Sequence, residues 1–441
     1  MPLMEIYAIA MLVAFFLLLM VGVPVALTLA VSGFVFGWLG FGPMLFHLLP
    51  ARIFGVVTNY TLLAIPLFVF MGVMLEKSRL AEDLMTVVGR LAGNLRGGLA
   101  LGVVGVGVLM GATTGIVGAT VVTLALLALP AMMQRGYDRG LACGVICASG
   151  TLGQIIPPAL ILLLLADIMN LSVGTLFAAA VFPGLLLAGL FAAYILLLGL
   201  VRPAACPAVP AAERSAMPRA ELLRRLLRVA LPPVGLIVAV LGSIIGGVAA
   251  PTEAAAMGAL GAVLVTALGR RLSAALVWES AAAAARITAM MMLVLICAQV
   301  FALAFRGLRG EQLIEDLFAF LPGGVEADIL FMLLLVFVLG FFLEWIEISY
   351  IAVPLFLPVF AAAQVDPVWL ATLIAVMLQT SFLTPPFGWA LFFLRGAAPP
   401  EITTGQIYRG VVPFVLLQIL AVGLVFLAPG LATWLPQAIG W

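Results

Sequence analysis

Charged residues are scarce in this sequence. Asp, Glu, Lys and Arg together make up 9% of the 441 residues, whereas 65% are hydrophobic and the mean hydropathy is +1.31. A water-soluble domain carries about 25% charged residues, so this chain has too few to cover a soluble surface. The composition excludes a cytosolic enzyme and predicts an all-α polytopic membrane protein.

Histidine and cysteine are also scarce. His47 is the only histidine, which excludes histidine-based metal sites and catalytic triads. The four cysteines form no metal-type cluster, and Cys143 and Cys147 share one helix face as packing thiols. A net charge of +1 argues against a nucleic-acid partner. We therefore predict no catalytic residue and no cofactor.

Long hydrophobic runs, by contrast, are abundant. A bilayer crossing needs about 20 apolar residues in a helix. The N-terminus lacks a basic region and a cleavage site, so we interpret it as a retained span rather than a signal peptide. The predicted spans lie near 4–21, 23–40, 60–76, 137–156, 174–201, 228–249, 251–269, 288–305, 367–394 and 406–433.

Arginines indicate how these spans are oriented. The polar loop 202–228 is rich in arginine and is therefore predicted to be cytoplasmic. Counting back along the spans places the N-terminus outside, in the periplasm. Asp167 and Asp366 then fall on the outer side, which agrees with the same orientation.

Two shorter apolar segments, 98–134 and 329–363, each return to the face from which they start. Their polar centres are Gly111–Gly115 and Glu344–Ser349. The arms on either side of each centre reach only about 20 Å as helix, against a hydrocarbon core of about 30 Å. We interpret both segments as re-entrant helical hairpins that enter from opposite faces. The alternative is a pair of ordinary two-span hairpins.

The clearest internal repeat is a double proline inside a long apolar helix. Pro157-Pro158 in the first half recurs as Pro385-Pro386 in the second, and Pro24 and Pro251, each opening a span, are separated by nearly the same interval. An odd number of crossings separates the two halves, so the second half is predicted to be inverted. Inverted repeats with broken helices are typical of secondary transporters, whose site lies near the midplane.

The residues around each helix break suit both a cation and an anion. Proline lacks an N–H and frees the carbonyl four residues back, so Pro157 and Pro385 leave backbone oxygens unpaired. Hydroxyl groups precede each break, and hard oxygens of this kind suit an alkali cation. Each break also exposes a half-helix N-terminus, which favours an anion. A purely structural kink is the alternative.

The hairpin tips offer matching ligands. Thr113–Gly115 form the first tip, and Glu344, Glu347 and Ser349 form the second. A carboxylate inside a membrane is a functional-site hypothesis by default. We predict that at least one of the two glutamates serves ion or proton coupling, while the other faces a vestibule or pairs with an arginine. Alternatively, both are structural.

Several motifs together resemble the large membrane (permease) subunit of tripartite ATP-independent periplasmic (TRAP) transporters. The resemblance extends over nearly the whole chain. The matching runs are Ala148–Pro158, Leu176–Phe177 with Phe182–Leu185, Pro251–Ala256, and Leu383–Pro386 with Leu394–Gly396. The block Gln379–Gly388 looks most like the mannitol/chloroaromatic branch.

The resemblance implies an elevator-type transporter whose mobile part contains both hairpins and both broken helices. It implies Na⁺-driven uptake of an organic acid, usually a carboxylate, across the bacterial inner membrane. The implied partners are a small four-helix TRAP membrane subunit and a periplasmic substrate-binding protein. By position, one Na⁺ would lie between the first tip and the first break, a second between the second tip and the second break, and the substrate between them.

This correspondence gives the expected site residues. The ion-binding residues would be Thr113, Thr114, Gly115, Ser149, Gly150, Thr151, Gly153, Glu347, Ser349, Thr380, Ser381 and Thr384. The substrate-binding residues would be Thr114, Gly118, Gln154, Pro157, Glu344, Glu347, Thr384 and Pro385. Two departures from the family pattern concern the first tip, where members often carry serines and more alanines than Thr113–Val117, and Glu344, where members often have Asp.

The expected organisation alternates scaffold and transport elements. The predicted units are 1–97 (scaffold spans and an arm helix), 98–173 (hairpin and broken helix), 174–227 (span and cytoplasmic linker), 228–327 (scaffold spans and an arm helix), 328–400 (hairpin and broken helix) and 401–441 (C-terminal span). Two other functions stay open: a stand-alone Na⁺/carboxylate symporter without a binding protein, and an intramembrane enzyme that uses Glu344 and Glu347 as an acid–base pair. A channel is disfavoured, because two closed tips meet at the predicted site.

Overall fold

The computed structural model describes residues 3–91, 95–208 and 219–441. This part of the chain contains α-helices and short 3₁₀ turns and no β-strand. The α-helices of the first half are α1 (Leu3–Met20), α2 (Val25–Phe41), α3 (Met44–Val57), α4 (Ala64–Lys77), α5 (Leu80–Leu91), α6 (Gly98–Thr114), α7 (Val117–Gln134), α8 (Arg139–Thr151), α9 (Leu160–Ile168) and α10 (Val173–Val201). Those of the second half are α11 (Arg219–Ile245), α12 (Pro251–Leu268), α13 (Ala274–Gly307), α14 (Gly310–Ala319), α15 (Gly324–Leu339), α16 (Trp345–Ala362), α17 (Pro367–Leu378), α18 (Trp389–Ala397), α19 (Thr404–Leu427) and α20 (Gly430–Ala438).

The composition-based prediction of an all-α, multi-span protein is confirmed. Eight helices of the described chain are long and apolar enough to cross a membrane, and a ninth span results if Met44–Val57 and Thr61–Lys77, which meet at 50°, count as one. Most of the side chains that stay exposed on these helices are apolar. Such a surface suits lipid rather than water.

The two halves of the chain present their elements in the same order. The hairpin arms α7 (Val117–Gln134) and α16 (Trp345–Ala362) have the same length, 18 residues, and occupy equivalent places in the two halves. Both halves then continue with a helix, a 3₁₀ turn, a short helix and a long helix. One difference stands out: the bent pair α3–α4 of the first half corresponds to the single helix α13.

In one group, helices of the first half pack on helices of the second half. Helix α2 packs on α13, and α4 packs on α12. A Cβ atom on Gly33 would lie 2.9 Å from the backbone N of Phe301, so α2 and α13 approach backbone to backbone. At one end of this group, Lys77 Nζ lies 2.7 Å from Glu279 Oε2. These contacts join the first and second halves into one scaffold.

A second group surrounds the two helix breaks. Here α19 packs on α8, and a Cβ on Gly144 would lie 2.0 Å from the carbonyl O of Gly410. On the other side α10 packs on α17. The predicted packing thiols Cys143 and Cys147 are fully buried on α8. Each broken helix is therefore held by the long helix of the other half.

Several predicted boundaries are wrong. The predicted first tip, Thr113–Gly115, is partly helical, because α6 extends to Thr114 and only Gly115 caps it. Glu347 and Ser349 of the predicted second tip lie inside the first turns of α16. The hairpin arms contain between 16 and 18 residues, or about 24–27 Å of helix rather than about 20 Å. Helix α3 lies where only a connector was predicted. Its apolar residues at helical spacing were obscured by His47, Pro50 and Arg52.

Candidate functional site

The tip of the first hairpin lies directly on the first helix break. Gly115 ends α6 with φ +59°, a left-handed conformation that glycine adopts without strain. Its carbonyl accepts a hydrogen bond from Nε2 of Gln154, in the 3₁₀ turn Leu152–Gln154. A Cβ on Gly153 would lie 2.0 Å from Cα of Gly111, so tip and break meet through bare backbone. Only glycine fits at this contact.

Three hydroxyl-bearing residues of the first half lie around this contact and are buried. Thr113 donates to the carbonyl of Met110 (2.8 Å) and Thr151 to that of Ala148 (2.8 Å). Ser149 Oγ has no hydrogen-bond partner within the described chain. Because the donors of Thr113 and Thr151 are occupied by carbonyls of their own helices, their oxygen lone pairs stay available to a cation. The side chain of Thr114 lies outside the described residues.

The second hairpin and the second break repeat this arrangement. The Thr384 hydroxyl donates to the carbonyl of Thr380 (3.1 Å), and the carbonyl O of Gly340 at the hairpin tip lies 3.4 Å from the same hydroxyl. A Cβ on Gly340 would lie 2.9 Å from Cβ of Ser381, in the 3₁₀ turn Gln379–Phe382. Tip and break are thus in contact in both halves.

The hydroxyls of the second half are used as in the first. Thr380 donates to Met377 O (2.7 Å), Ser381 to Leu378 O (2.7 Å) and Ser349 to Trp345 O (2.6 Å). All three side chains are buried. Their oxygens keep lone pairs that can accept from water or coordinate a cation.

The two glutamates differ in their surroundings. Glu347 is 6% exposed, and its Oε2 has no hydrogen-bond partner within the described chain. Glu344 is only partly buried and occupies the N-cap of α16 without a side-chain capping bond. Neither forms an ion pair with a described basic residue, so the predicted pairing with an arginine finds no support there. Glu347 is the buried carboxylate nearest the Ser349 hydroxyl along the helix.

Backbone groups at the two breaks are also left without helical partners. No backbone N–H of the described chain donates to the carbonyls of Gly153 and Gln154, or to those of Ser381 and Phe382. The half-helices α9 and α18 begin without a side-chain cap, at Ala159 and Gly388. Free carbonyls attract a cation, and uncapped N–H groups with the helix dipole attract an anion. Each break therefore offers free carbonyls to a cation and a half-helix N-terminus to an anion.

The two halves meet crosswise at this place. Half-helix α9 packs on hairpin arm α16, and half-helix α18 packs on hairpin arm α7. A Cβ on Gly118 of α7 would lie 2.5 Å from Cζ of Phe393 in α18, so the contact is close. The first break is closed, with Pro157 buried, while Pro385 is partly exposed and Phe387 is 41% exposed. The second break is therefore more exposed than the first.

The tip–break contacts bring together Gly111, Gly115, Gly153 and Gln154 in the first half, and Gly340, Ser381 and Thr384 in the second. Glu347 and Ser349 lie on α16, which packs on α9. Gly150 packs on hairpin arm α7, because a Cβ on it would lie 2.4 Å from Cγ2 of Val121. Sequence reasoning missed Gly340, whose carbonyl links the second hairpin tip to the Thr384 hydroxyl. The internal repeat gave a signal for it, since Gly111 in the last turn of α6 lies at nearly the equivalent position of the first half.

The donor set is chemically specific. No group of three or more His, Cys, Asp or Glu that could hold a metal ion occurs among residues 3–91, 95–208 and 219–441. The site instead offers hydroxyl and carbonyl oxygens with one buried carboxylate. Such ligands suit a hard cation of low charge rather than a transition metal.

Known transport proteins are similar to this chain over most of its length. A family model described as tripartite ATP-independent periplasmic transporter, DctM component, matches residues 12–431. The C4-dicarboxylate TRAP transporter large permease protein DctM of Pseudomonas aeruginosa is 30% identical over 410 residues, which cover 91% of this chain and 92% of that protein. The ectoine/5-hydroxyectoine TRAP transporter large permease protein UehC of Ruegeria pomeroyi is 29% identical over 413 residues, covering 93% of this chain and 94% of that protein.

A solved structure shares the fold. The YdaH transporter of Alcanivorax borkumensis matches 91% of this chain and 90% of its own, with a TM-score of 0.60 and 17% identity. At this level of identity the likeness concerns the arrangement of helices alone.

Proposed function

Since the chain belongs to the tripartite ATP-independent periplasmic transporter family, as a DctM component, we propose that it imports an organic acid anion together with Na⁺. It is a transport permease rather than an enzyme, as its relatives are. The observation that carries the finer proposal is the pairing of each hairpin tip with a helix break. At both contacts, oxygen lone pairs lie beside an uncapped half-helix N-terminus.

Na⁺ is the cation that these oxygens favour. Ser149, Thr151 and Thr113 with the Gly153 carbonyl would bind one ion, and Thr380, Ser381 and Thr384 with Ser349 a second. These ligands are neutral, and Glu347 would add one negative charge to the second site. Tip and break meet closely at Gly111 with Gly153 and at Gly340 with Ser381. A monovalent ion loses less hydration free energy than a divalent ion when it enters a site of neutral oxygens.

The substrate would lie between the two ion sites. The N-termini of α9 and α18 both begin at the breaks, and each offers backbone N–H groups to a carboxylate. A bound cation on either side would add to the attraction. The relatives are named for different substrates, a C4-dicarboxylate and ectoine. Family membership therefore does not determine the substrate, and we propose that the side chains around Gln154 and Pro385 select the acid.

The place of the first hairpin tip supports a re-entrant course, which we propose for both hairpins. Helices α8 and α9 contain 13 and 9 residues, or about 20 and 14 Å, so the break between them falls inside the bilayer. Gly115 contacts this break through Gln154 and therefore lies inside the bilayer too. The units 98–173 and 328–400, with the long helices packed on them, would move as the elevator against the scaffold units 1–97 and 228–327.

The proposed assembly has three components, as the family description states. A small four-helix membrane subunit would accompany this chain in the bacterial inner membrane, and a periplasmic binding protein would deliver the substrate. The N-terminus would face the periplasm, because the arginine-rich loop 202–228 would then face the cytoplasm.

Uptake into proteoliposomes tests the proposal. The chain and its small subunit are reconstituted and offered a panel of labelled carboxylates, with and without an imposed Na⁺ gradient and with and without candidate binding proteins. Uptake of one acid that requires both the gradient and a binding protein supports the proposal. Gradient-driven uptake without any binding protein supports a stand-alone symporter instead, and product formation from the acid would identify an enzyme.

A further inference from the structure

Two glutamines are buried together behind the second helix break. Gln379 begins the 3₁₀ turn Gln379–Phe382, and Gln418 lies on α19, the long helix that packs on α8 and on this turn. Both side chains are 0% exposed. Nε2 of Gln418 donates a hydrogen bond to the backbone carbonyl of Gln379, at 3.3 Å. An amide on a neighbouring helix thus holds the first residue of the turn.

The remaining amide atoms of this pair are not satisfied by the chain. Nε2 and Oε1 of Gln379 and Oε1 of Gln418 have no hydrogen-bond partner within the described residues. A buried amide without a partner is unfavourable, and an apolar side chain of similar volume would avoid the penalty. Buried polar atoms of this kind are usually completed by ordered water. Packing alone therefore does not account for two glutamines here.

The first half of the chain has no equivalent of this pair. The spacing of the two double prolines maps Gln379 to Thr151 and Gln418 to Leu190. The Thr151 hydroxyl bonds within its own helix, to Ala148, and Leu190 has no polar atom to offer. The hydrogen bond from Gln418 to Gln379 is therefore specific to the second break. This break is the more exposed of the two, since Pro385 and Phe387 are not fully buried.

We propose that Gln418 is a positioning residue for the second cation site and that it acts through the carbonyl of Gln379, with water completing the two buried amides. This inference rests on the proposed function. The turn begun by Gln379 continues into Thr380 and Ser381, which supply oxygens to the site, and Thr384 follows directly. By fixing where the turn begins, Gln418 sets the spacing of these oxygens before the ion arrives.

Na⁺ titration of the unfolding temperature of the full-length purified chain tests this role without a known substrate, with choline as the reference cation. Gln418→Met keeps the volume and removes the donor. We expect the Na⁺ concentration that gives half of the stabilisation to rise about two- to tenfold, the range that one buried hydrogen bond supports. A purely structural residue would lower the unfolding temperature in choline and leave this concentration unchanged, which would overturn the proposal.

Matched variants complete the test. Leu417→Met, one residue earlier on α19, and Leu190→Met, at the equivalent position of the first half, are expected to leave the Na⁺ midpoint unchanged. If Gln418→Met does not fold, Gln418→Asn keeps the amide but shortens its reach, and it should raise the midpoint in the same direction. An unchanged midpoint in that variant would also refute the positioning role. A wild-type chain that Na⁺ does not stabilise would contradict the proposed function itself rather than this inference alone.

Discussion

Gln154, in the turn that interrupts the first broken helix, donates its amide N–H to the carbonyl of Gly115 at the tip of the first hairpin. This one hydrogen bond joins two elements that are 39 residues apart in sequence, and it leaves the amide oxygen of Gln154 without a partner in the described chain. Tip and break therefore form a single unit in which side-chain and backbone oxygens face each other. The unit explains why small and polar residues occur in the middle of so apolar a chain.

The glycine contact between tip and break gives the first prediction. Gly153→Ala places a Cβ 2.0 Å from Cα of Gly111, so one backbone must move. We expect a loss of about 1–3 kcal/mol of stability, as for overpacking in a core, and a loss of Na⁺-driven uptake. Gly105→Ala on α6 is the control, because its Cβ would meet nothing within 4 Å. Equal unfolding temperatures for the two variants would contradict the docked geometry.

A second prediction concerns the charge at Gln154. Gln154→Glu replaces the donor to the Gly115 carbonyl with an acceptor and adds a negative charge where an anion is proposed to bind. We expect the KM of the transported acid to rise at least about tenfold at saturating Na⁺, since bonds to charged groups contribute about 1.5–3 kcal/mol. Gln134→Glu, on the exposed end of α7, should leave the KM unchanged. A similar shift in both variants would mean that a general charge effect operates.

The hydroxyls at the two breaks give a third prediction. Ser149→Ala and Thr384→Ala each remove one proposed Na⁺ ligand, so the Na⁺ concentration needed for half-maximal uptake should rise several-fold, about 1 kcal/mol of binding free energy for each lost ligand. The fold should stay intact, since neither hydroxyl bridges two helices strongly. Thr372→Ala is the matched control: it is also buried and donates to Val368 O (2.8 Å), but it lies earlier on α17. Unchanged Na⁺ dependence in both variants would refute the ligand assignment.

A fourth prediction is that Glu347→Gln affects the unfolding temperature differently in choline and in Na⁺. Its buried Oε2 lacks a partner in the described chain, so the carboxylate is unfavourable without a cation. Glu347→Gln should therefore unfold at an equal or higher temperature in choline, yet gain less stability from added Na⁺ than the wild type. Glu326→Gln, exposed in the first turn of α15, should behave as wild type in both salts. A Glu347→Gln variant that is less stable in choline would indicate a structural role.

The spans and the two double prolines could be predicted from sequence because each follows from a local rule. A bilayer demands about 20 apolar residues per crossing, and proline interrupts a helix wherever it stands. The lengths of the hairpin arms could not be predicted in the same way. Gly111–Thr114 look like a loop by composition, but they form the last turn of α6, and Gly111 docks against Gly153 in the 3₁₀ turn of the first break.

Two residues that hold the second break in place, Gly340 and Gln418, could not be predicted from sequence for a related reason. Gly340 and Gln418 act through contacts with Thr384 and Gln379 that are long-range in sequence. A lone glutamine in an apolar helix or a glycine at its end carries no local signal of such a partner. The proposed ion ligands could be named because hydroxyl residues precede each double proline and because the chain resembles a known transporter family. The similarity of Gln379–Gly388 to the mannitol/chloroaromatic branch stays a prediction.

The most direct test of the account is whether the purified chain binds Na⁺ at both breaks. The unfolding temperature is measured during titration with NaCl or choline chloride, for the wild type and for a variant that combines Ser149→Ala with Thr384→Ala. A ligand that binds only the folded state stabilises it by about 2.7 kcal/mol at one hundred times its Kd. The account predicts saturable stabilisation of the wild type by Na⁺ alone, and its loss in the double variant. Equal responses to Na⁺ and choline, or a double variant that responds to Na⁺ like the wild type, would contradict it.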